Sequence, residues 1–412
     1  METVTVLQQK RVLLAVTGSI SAYKAVDLAS KLTQSGALVD VILSDAAQQF
    51  VTPLTFEAVT GRPVYTSMWA AGGSGLPTHI AHVGLAESAD LLAVIPATAH
   101  SIARLAQGMA DDMLGVTALA ARCPLLLAPA MDGTMYSHPA TQTNLDLLRR
   151  RGAVVIEPEE GRFASGLMGK GRLPETPALL GHIRRVLGRS GALRGRHVVV
   201  TAGGTREAID PVRFVGNRSS GKQGYALAQA ALDAGAEVTL ITTVELALPV
   251  GAQPVRVESA ASMKDAVLAH CRSADMLLMA AAVADFRPQT VAEQKIKKQA
   301  DGSGLMLTLD RTDDILLAVA QQRRQSARPL VVVGFAAESQ DLLANGQKKL
   351  AAKGLEMLVA NDITAPGAGF AVDTNRVTFL FADGRQEPQP LMSKARVAEA
   401  IVAQAAALLP QG

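Results

Sequence analysis

The first half of the chain opens with an apolar run that turns into a helical pattern. In "RVLLAVTGSISAYKAVDLASKLTQSGALVDVILSDAA", four apolar residues recur at helical spacing and share one face: Ala25, Leu28, Ala29 and Leu32. Gly36 marks the end of this helix, and a second apolar run follows it. The segment therefore predicts a strand, a helix and a second strand parallel to the first.

Apolar runs and helical stretches continue to alternate along both halves. Buried strands are predicted at 91–97, 125–130 and 153–158 in the first half, and at 197–204, 276–285, 330–338 and 357–362 in the second. The run at 376–384 is predicted as an edge strand. Such alternation indicates α/β domains with mainly parallel, doubly wound sheets. We predict two of them, 1–190 and 191–412, joined in the basic, Gly-rich stretch "GRSGALRGRH" at 188–197.

Composition excludes several classes of protein. Aromatic residues make up only 3% of the 412 residues, and the net charge is +3, which argues against nucleic-acid binding. Two cysteines cannot form a disulfide framework or a four-thiolate zinc site. The start has no secretory signal, and the longest apolar run, Met276 to Ala284, is shorter than the ~20 residues that span a membrane. We expect a cytoplasmic protein.

The turns that follow the predicted strands hold the candidate chemistry of the first half. They are "TGSISAYK" (17–24), "PATAHSIARLAQGMADDML" (96–114) and "PAMDGTMY" (129–136), and "HIAHVGLAESAD" (79–90) adds His79 and His82. Neither half has a complete G-x-G-x-x-G, which favours a mononucleotide or flavin phosphate over NAD. Taken alone, each histidine also fits a surface or capping residue, and Asp132 also fits a helix cap.

In the second half, "GNRSSGKQG" (216–224) comes within one residue of a P-loop. Gly216, Gly221 and Lys222 are in register, but Gln223 stands where the magnesium-binding Ser or Thr would be. Asp285 interrupts an apolar strand, and "KIKK" (295–298) follows it. Lys349 and Lys353 are spaced i,i+4 on one helix face, which fits either an anion site or a solvated face.

Together these residues resemble the bifunctional Dfp/CoaBC family of coenzyme A synthesis over nearly the whole chain. The segments "TAGGTREAIDPVRFVGNRSSGKQG", "AAVADFRP…KIKK" and "NDITAPGAGFAVDTNRVTFLF" are similar to three ligase motifs of that family, in the same order. The resemblance implies a flavodoxin-like or Rossmann-like flavoprotein decarboxylase fold in 1–190 and a Rossmann-like ligase fold in 191–412. It makes the P-loop match accidental.

For the ligase half, the resemblance implies that CTP with Mg²⁺ activates the carboxylate of 4′-phosphopantothenate as an acyl-cytidylate, which the amine of cysteine attacks. Lys295 matches the family's catalytic lysine, and Asn217 matches an asparagine that handles the acyl-cytidylate. No protein metal ligand is implied, because Mg²⁺ is carried by the triphosphate. CTP contacts are implied for Met279, Ala280, Ala281, Asp285, Lys295, Asp313, Asp314, Ile315, Leu316, Phe335, Lys349 and Lys353.

The first half resembles FMN-containing cysteine decarboxylases, in which the flavin oxidises the thiol, CO₂ leaves, and the reduced flavin returns the electrons. The family's active histidine lies eight residues before an Ala-Asp pair, and His82, unlike His79, stands eight residues before Asp90. The resemblance therefore implies His82 as a catalytic base or orienting group. FMN contacts are implied for Gly18, Ser19, Ile20, Ser44, Thr98 and Ser101.

Two catalytic positions of the first half depart from the family pattern. Asp132 replaces the asparagine of the substrate-binding motif P-x-M-N-x-x-M-[WY], and an ionised carboxylate there repels the substrate's carboxylate. We hypothesise that burial keeps Asp132 protonated. Ser165 replaces the cysteine that protonates the enethiolate in many members, and an alcohol is far less acidic than a thiol. Either another group or a water relayed by Ser165 supplies the proton, or the reaction stops at the enethiol.

Two alternatives to the complete bifunctional enzyme follow from these departures. One is a ligase fused to an oxidative decarboxylase that releases an enethiol. The other is a flavoprotein of the kind that serves as a regulatory subunit of protein phosphatases, which the complete ligase motifs and the absence of an acidic tail disfavour. The resemblance also implies a homo-oligomer in which decarboxylase trimers and ligase dimers combine in a dodecamer.

Overall fold

The computed structural model describes residues 3–69, 78, 80–297, 304–338, 342–362 and 372–410. The chain divides into two compact units, Met1–Leu187 and Gly188–Gly412, called here the N-terminal and C-terminal units. Each unit is an α/β domain, with a β-sheet that has helices on both faces, as the alternation of strands and helices in the sequence predicts. None of the helices in the described part of the chain combines the length and apolar character that crossing a bilayer requires.

The N-terminal unit is built on a six-stranded parallel sheet of order β3-β2-β1-β4-β5-β6. The order reverses between β1 and β4, where ligands bind in doubly wound folds. An antiparallel hairpin, β7–β8, follows the sheet. The strands are β1 Arg11–Val16, β2 Leu38–Leu43, β3 Val64–Tyr65, β4 Leu91–Ala97, β5 Leu125–Pro129, β6 Val154–Val155, β7 Glu159–Arg162 and β8 Met168–Arg172.

Alternate residues of these strands face two apolar layers. Val12, Leu14 and Val16 face one layer, whereas Leu13 and Ala15 face the other. Because both faces are covered, the strands are apolar throughout, which is why they stand out in the sequence. The helices are α1 Ala22–Gln34, α2 Asp45–Gln48, α3 Pro53–Thr60, α4 Ala81–Ser88, α5 Ala99–Gln107, α6 Met113–Ala120, α7 Gly133–Ser137, α8 Pro139–Arg150 and α9 Thr176–Gly188, and a 3₁₀ turn spans Thr5–Leu7.

The C-terminal unit contains an eight-stranded sheet of order β13-β12-β9-β14-β17-β18-β20-β21. Its first six strands are parallel, and β20 and β21 are antiparallel additions. The order reverses between β9 and β14. The eight strands are β9 His197–Ala202, β12 Glu237–Thr242, β13 Ala252–Arg256, β14 Met276–Met279, β17 Val331–Glu338, β18 Met357–Asp362, β20 Val377–Phe381 and β21 Gln386–Pro388.

Among the described residues of this unit, three short antiparallel pairs and five helices accompany the sheet. The pairs are β10 Arg206–Ala208 with β11 Phe214–Gly216, β15 Phe286–Pro288 with β16 Leu309–Arg311, and β19 Thr374–Asn375 with β22 Met392–Ser393. The helices are α10 Lys222–Asp233, α11 Ala260–Cys271, α12 Ile315–Ser326, α13 Leu342–Lys353 and α14 Lys394–Ala407. The helices α10 and α14 pack against each other.

The predicted elements agree with the structure except at three strands. The run at 376–384 is not an edge strand, because β21 pairs with its outer side. Its apolar residues already indicate burial, since Val377, Phe379 and Phe381 are at most 2% exposed. The strands expected at 153–158 and 276–285 are shorter, ending as β6 and β14 where the chain turns away from the sheet.

Candidate active sites

The N-terminal unit has a cavity of about 830 Å³ at the carboxyl ends of β1, β2, β4 and β5. This is the edge that the switch in strand order predicts for a ligand. Five of the six predicted FMN contacts line the cavity, namely Gly18, Ser19, Ser44, Thr98 and Ser101. Ile20, the sixth, is 60% exposed and does not line it.

The polar part of this cavity combines hydroxyl groups at helix starts with charged side chains, among them Arg104, Asp111 and Asp112. Thr98 caps α5 by accepting from the Ser101 amide at 3.2 Å, and its hydroxyl lies 3.1 Å from the Ser101 hydroxyl. Ser44 caps α2 by accepting from the Ala47 amide. Hydroxyls and helix N-termini of this kind bind phosphate groups. The donor set therefore fits the phosphate of FMN.

The turn after β1 leaves no space for a side chain at Gly18. A Cβ atom there would lie 2.4 Å from the Cβ of Ala46, the second residue of α2. Glycine therefore lets the start of α2 approach the turn before α1. Because of this close approach, both polar turns border the same cavity.

The hairpin 159–172, called here the flap, lies over the turn that holds Asp132. A Cβ at Gly171 would meet the Met131 carbonyl oxygen at 2.2 Å, so the flap backbone approaches this turn closely. At the flap tip, the Ser165 hydroxyl donates to Asp132 Oδ2 at 2.9 Å. The two residues that depart from the family pattern are therefore in direct contact.

Asp132 caps α7, and its Oδ1 accepts from the amide and the hydroxyl of Thr134. These hydrogen bonds, together with the one from Ser165, hold the pKa of Asp132 below its ordinary value. The hypothesis that burial keeps Asp132 protonated is therefore wrong. The hydrogen bonds favour the ionised carboxylate; the strongest influence is the Thr134 amide, two residues away, and the second is Ser165, 33 positions away.

The base of the flap is fixed by Glu157. This carboxylate accepts from Tyr136 at 3.0 Å, from Arg149 at 2.7 Å and from Lys170 at 2.7 Å. The Lys170 ammonium is the largest of the influences that lower the pKa of Glu157. The network surrounds a second cavity of about 660 Å³, which Asp132 also lines. Sequence analysis missed these residues because they come from four separate elements.

His82 lies in the first turn of α4 and does not line either cavity of the N-terminal unit. Its Nδ1 is buried, with no hydrogen-bond partner among the residues described. Its assignment as catalytic base or orienting group therefore stays a prediction. His79, the other histidine considered, lies outside the described residues.

The C-terminal unit has a cavity of about 800 Å³ at the carboxyl ends of β14, β17 and β18. The cavity gathers residues from eight separate segments of the described chain. Asn217 and all predicted CTP contacts except Lys295 line it: Met279, Ala280, Ala281, Asp285, Asp313, Asp314, Ile315, Leu316, Phe335, Lys349 and Lys353.

Hydrogen bonds hold the turn after β14 against the turn after β9. The Ala281 amide donates to Thr201 Oγ1 at 3.0 Å, and the Ala284 amide donates to Thr205 Oγ1 at 2.9 Å. Asn217 reaches the same turn, since its Nδ2 donates to the Val283 carbonyl at 2.9 Å. This geometry leaves the Asn217 carboxamide oxygen as the acceptor for a ligand.

Two of the three carboxylates that line this cavity, those of Asp313 and Asp314, pair with lysines. Asp313 pairs with Lys264 at 2.5 Å, and Asp314 pairs with Lys353 at 3.0 Å. Lys264 lowers the pKa of Asp313 through hydrogen bonding and charge. Among the described residues, no group of three metal-binding side chains is found.

Lys295 is exposed and does not line the cavity. The next residue, Ile296, is held by its backbone, which donates to Asp210 at 3.1 Å and accepts from Arg213 at 2.7 Å. The catalytic role of Lys295 stays a prediction. Two lysines that sequence analysis did not select, Lys222 and Lys394, do line the cavity.

Comparison with known proteins identifies the family. Residues 2–188 match the family model "Flavoprotein", and residues 193–409 match the "DNA/pantothenate metabolism flavoprotein C-terminal domain". The coenzyme A biosynthesis bifunctional protein CoaBC of Bacillus subtilis is 48% identical over 409 residues, covering 98% of each chain. The chain belongs to the CoaBC family.

Other members of the CoaBC family are similarly close. The CoaBC protein of Mycobacterium bovis is 46% identical over 405 residues, covering 95% of each chain. A crystal structure of a CoaBC C-terminal domain is 38% identical, with a TM-score of 0.45, and covers 53% of this chain and 98% of that one. As the family implies, the protein is a bifunctional ligase and decarboxylase of coenzyme A biosynthesis.

The cysteines of this CoaBC protein are not placed to replace the thiol missing at Ser165. Cys123 precedes β5, at the end of the sheet opposite the cavity, and burial raises its pKa. Cys271 lies in the C-terminal unit, where burial raises its pKa to about 12. Neither residue lines a cavity described above.

Proposed function

We propose that the C-terminal unit joins cysteine to 4′-phosphopantothenate with CTP, and that the N-terminal unit decarboxylates the product to 4′-phosphopantetheine. The observation that carries this proposal is that five of the six residues implied to contact FMN line one cavity of the N-terminal unit, and that all residues implied to contact CTP except Lys295 line one cavity of the C-terminal unit. In both units the cavity lies at the edge of the parallel sheet that binds ligands in doubly wound folds.

In the ligase step, the cavity residues bind and orient two anionic substrates. Lys349 and Lys353 neutralise the triphosphate of CTP, while the turn 279–281 lines the cavity against the nucleotide. Asn217 orients the acyl-cytidylate through its carboxamide oxygen. Lys295 stabilises the charge that develops at phosphorus, which requires the segment that carries it to approach the cavity.

Magnesium accompanies CTP in this proposal. The paired carboxylates of Asp313 and Asp314 leave little acidic surface for a separate protein site. The oxygen-rich triphosphate is a better ligand for the small, hard Mg²⁺ ion. We therefore assign the metal to the nucleotide, with Asp285 at the cavity wall.

In the decarboxylation step, FMN supplies the two-electron chemistry when it is bound. The hydroxyls of Ser44, Thr98 and Ser101 hold its phosphate at the helix starts. His82 orients or deprotonates the substrate thiol. The flap encloses the substrate, with Asp132 and Ser165 beside it.

A second candidate function is an oxidative decarboxylase that stops at the enethiol. It is favoured by the lack of an acidic thiol near the flap, since both cysteines lie elsewhere and have raised pKa values. In the complete reaction, either another group supplies the proton or the Ser165 hydroxyl relays it from water, which requires its hydroxyl to turn away from Asp132.

Product analysis distinguishes these functions. The purified full chain is incubated with 4′-phosphopantothenate, cysteine, CTP and Mg²⁺, and products are followed by mass spectrometry beside the flavin spectrum. Phosphopantetheine with oxidised flavin supports both complete activities. A product lighter by two hydrogens, with reduced flavin, supports the oxidative decarboxylase. If no cysteine adduct of phosphopantothenate forms, decarboxylated or not, the ligase function is refuted.

Assembly and location remain proposals as well. We propose that the chain forms a homo-oligomer, with decarboxylase trimers and ligase dimers combining in a dodecamer, and that it acts in the cytoplasm, where its nucleotide substrate is found. Sedimentation of the holoprotein tests the first part. A monomer with both activities would refute the assembly.

A further inference from the structure

A buried carboxylate holds the segment that carries Lys295. Asp210 lies in the turn between β10 and β11, and it is only 2% exposed. Burial of a charged group is costly unless hydrogen bonds replace the lost water. Asp210 lines none of the cavities described above, so contact with a ligand does not explain its burial.

Three backbone amides supply the hydrogen bonds that Asp210 needs. Its Oδ1 accepts from the amides of Val212 at 2.8 Å and Arg213 at 2.9 Å, which closes the turn. Its Oδ2 accepts from the Ile296 amide at 3.1 Å, 86 positions further along the chain. Burial opposes the ionised form, but the three amides and the Arg213 charge together hold the pKa of Asp210 below its ordinary value. One oxygen therefore shapes the turn, and the other holds a distant segment.

Two further hydrogen bonds join this segment to the same turn. The Ala292 amide donates to the Ile209 carbonyl at 3.0 Å, and the Arg213 guanidinium donates to the Ile296 carbonyl at 2.7 Å. The N–H and the C=O of Ile296 are thus both bound by residues of one turn. Lys295 comes directly before Ile296, so these contacts fix the backbone from which its side chain extends.

The hairpin β10–β11 also leads to the other residue predicted to act in the ligase reaction. Strand β11 ends at Gly216, and Asn217 follows it at the cavity wall. Strand β15, which precedes the segment of Lys295, packs against both strands of this hairpin. Asp210 therefore couples the segment of Lys295 to the hairpin that leads to Asn217.

We propose that Asp210 is a positioning residue of the ligase, whose Oδ2 holds the Ile296 amide so that Lys295 is presented to the reacting phosphorus in one orientation. The proposal rests on the ligase function and on the role of Lys295 proposed above. A lysine stabilises developing charge best when its backbone is already ordered, because ordering it during the reaction costs entropy. Loosening this segment therefore slows formation of the acyl-cytidylate and leaves the affinity for CTP nearly unchanged.

Asp210→Asn separates the two tasks of the carboxylate. The carboxamide oxygen can still accept in the turn, whereas the NH₂ group cannot accept from the Ile296 amide. We expect faster amide hydrogen exchange across 292–297 in the chain without substrates. We also expect the rate of pyrophosphate release at saturating CTP to fall by about 10-fold or more, while the half-saturating CTP concentration changes by less than about 2-fold. Single turnovers with 4′-phosphopantothenate and without cysteine measure this step alone.

Asp383→Asn is the matched control. Asp383 also accepts from an amide in a turn of the C-terminal unit, but its side chain is 63% exposed and it does not line the cavity. Thermal unfolding of each variant is measured in parallel. If Asp210→Asn does not fold, Asp210→Ser gives the same test, because a serine hydroxyl also accepts in turns of this kind.

The double variant of Asp210→Asn with Lys295→Met distinguishes positioning from general destabilisation. If Asp210 acts through Lys295, the double variant should be slower than Lys295→Met alone by less than about 2-fold. Losses that multiply would overturn the positioning role, as would wild-type hydrogen exchange or a wild-type rate in a folded Asp210→Asn. A wild-type rate in Lys295→Met would also overturn it. Failure of the ligase function itself would look different, because the wild-type chain would then release no pyrophosphate.

Discussion

The cavities proposed for FMN and for CTP occupy equivalent edges of their sheets but are built from different groups. The N-terminal cavity presents hydroxyls and helix starts, from Ser44, Thr98 and Ser101. The C-terminal cavity presents lysines, of which Lys222 and Lys353 are paired with carboxylates. Fixed hydroxyls and amides suit a cofactor that stays bound. Lysines with exchangeable counter-ions suit substrates that bind and leave in every turnover.

The largest effect is expected at the turn that shapes the FMN cavity. Gly18→Val places a side chain against Ala46, where even a Cβ would lie at 2.4 Å. We expect the purified variant to lose its flavin absorbance, because overpacking displaces the turn. We also expect its decarboxylation rate to fall by about 100-fold or more. Ligase activity should persist.

Gly304→Val is the control for this variant, since a Cβ at Gly304 meets nothing within 4 Å. Retention of flavin by Gly18→Val would contradict the placement of FMN. Loss of ligase activity in the same variant would contradict the separation of the two cavities.

The next effect tests the exchangeable counter-ions of the ligase cavity. Lys353→Met removes the partner of Asp314 and one cation of the proposed triphosphate site. We expect the KM for CTP to rise by about 10-fold or more, because a charged hydrogen bond is lost and a carboxylate is left unpaired. Initial rates of pyrophosphate release measure this, with Lys348→Met as the control. Equal KM values for CTP in the two variants would show that Lys353 does not bind CTP.

A smaller effect, of opposite sign, is expected at Asp132. Its hydrogen bonds lower its pKa, so the side chain is ionised above its ordinary pKa of about 4 and becomes neutral only as pH falls below that value. Asp132→Asn removes a negative charge near the substrate carboxylate. We expect decarboxylation to become several-fold faster, and we expect no titration of Asp132 in the wild-type pH–rate profile between about pH 5 and 8.

The stability of Asp132→Asn at different pH values checks whether the pKa of Asp132 is lowered or raised in the folded protein. Because the folded-state pKa of Asp132 is lowered, its hydrogen bonds stabilise the wild type above the unfolded pKa, and this advantage is lost as pH falls through the folded pKa. Thermal melts of both proteins across this range measure it. A wild-type advantage that grows on acidification would show that Asp132 is protonated in the fold.

The smallest effect is expected at the base of the flap. Glu157→Gln removes the carboxylate that joins Tyr136, Arg149 and Lys170. We expect faster amide hydrogen exchange across 159–172 and a decarboxylation rate lower by a few-fold, because the flap is held less firmly. Glu159→Gln, which changes an exposed residue of the same hairpin, should match the wild type. Identical exchange in the two variants would show that Glu157 does not hold the flap.

Sequence pattern predicts the sheets well because buried parallel strands are continuous apolar runs, as in Leu91–Ala97. It also predicts the turns that bind ligands, since these follow the strands directly. Contacts between distant segments are different. The contact between Ser165 and Asp132 joins residues 33 positions apart, and the one between Lys222 and Asp373 joins residues 151 positions apart. The periodicity of a short segment contains no information about such contacts. The hydrogen bond from Ser165 to Asp132 could not be predicted for the same reason, whereas the one from the Thr134 amide follows from a helix cap at Asp132.

The central claim is that one chain performs both reactions in separate cavities. The most direct test measures pyrophosphate and CO₂ released by the purified full chain from CTP, 4′-phosphopantothenate and carboxyl-labelled cysteine. The account predicts equal amounts of the two products in the wild type, and pyrophosphate without CO₂ in Gly18→Val. Pyrophosphate without CO₂ from the flavin-loaded wild type would contradict it.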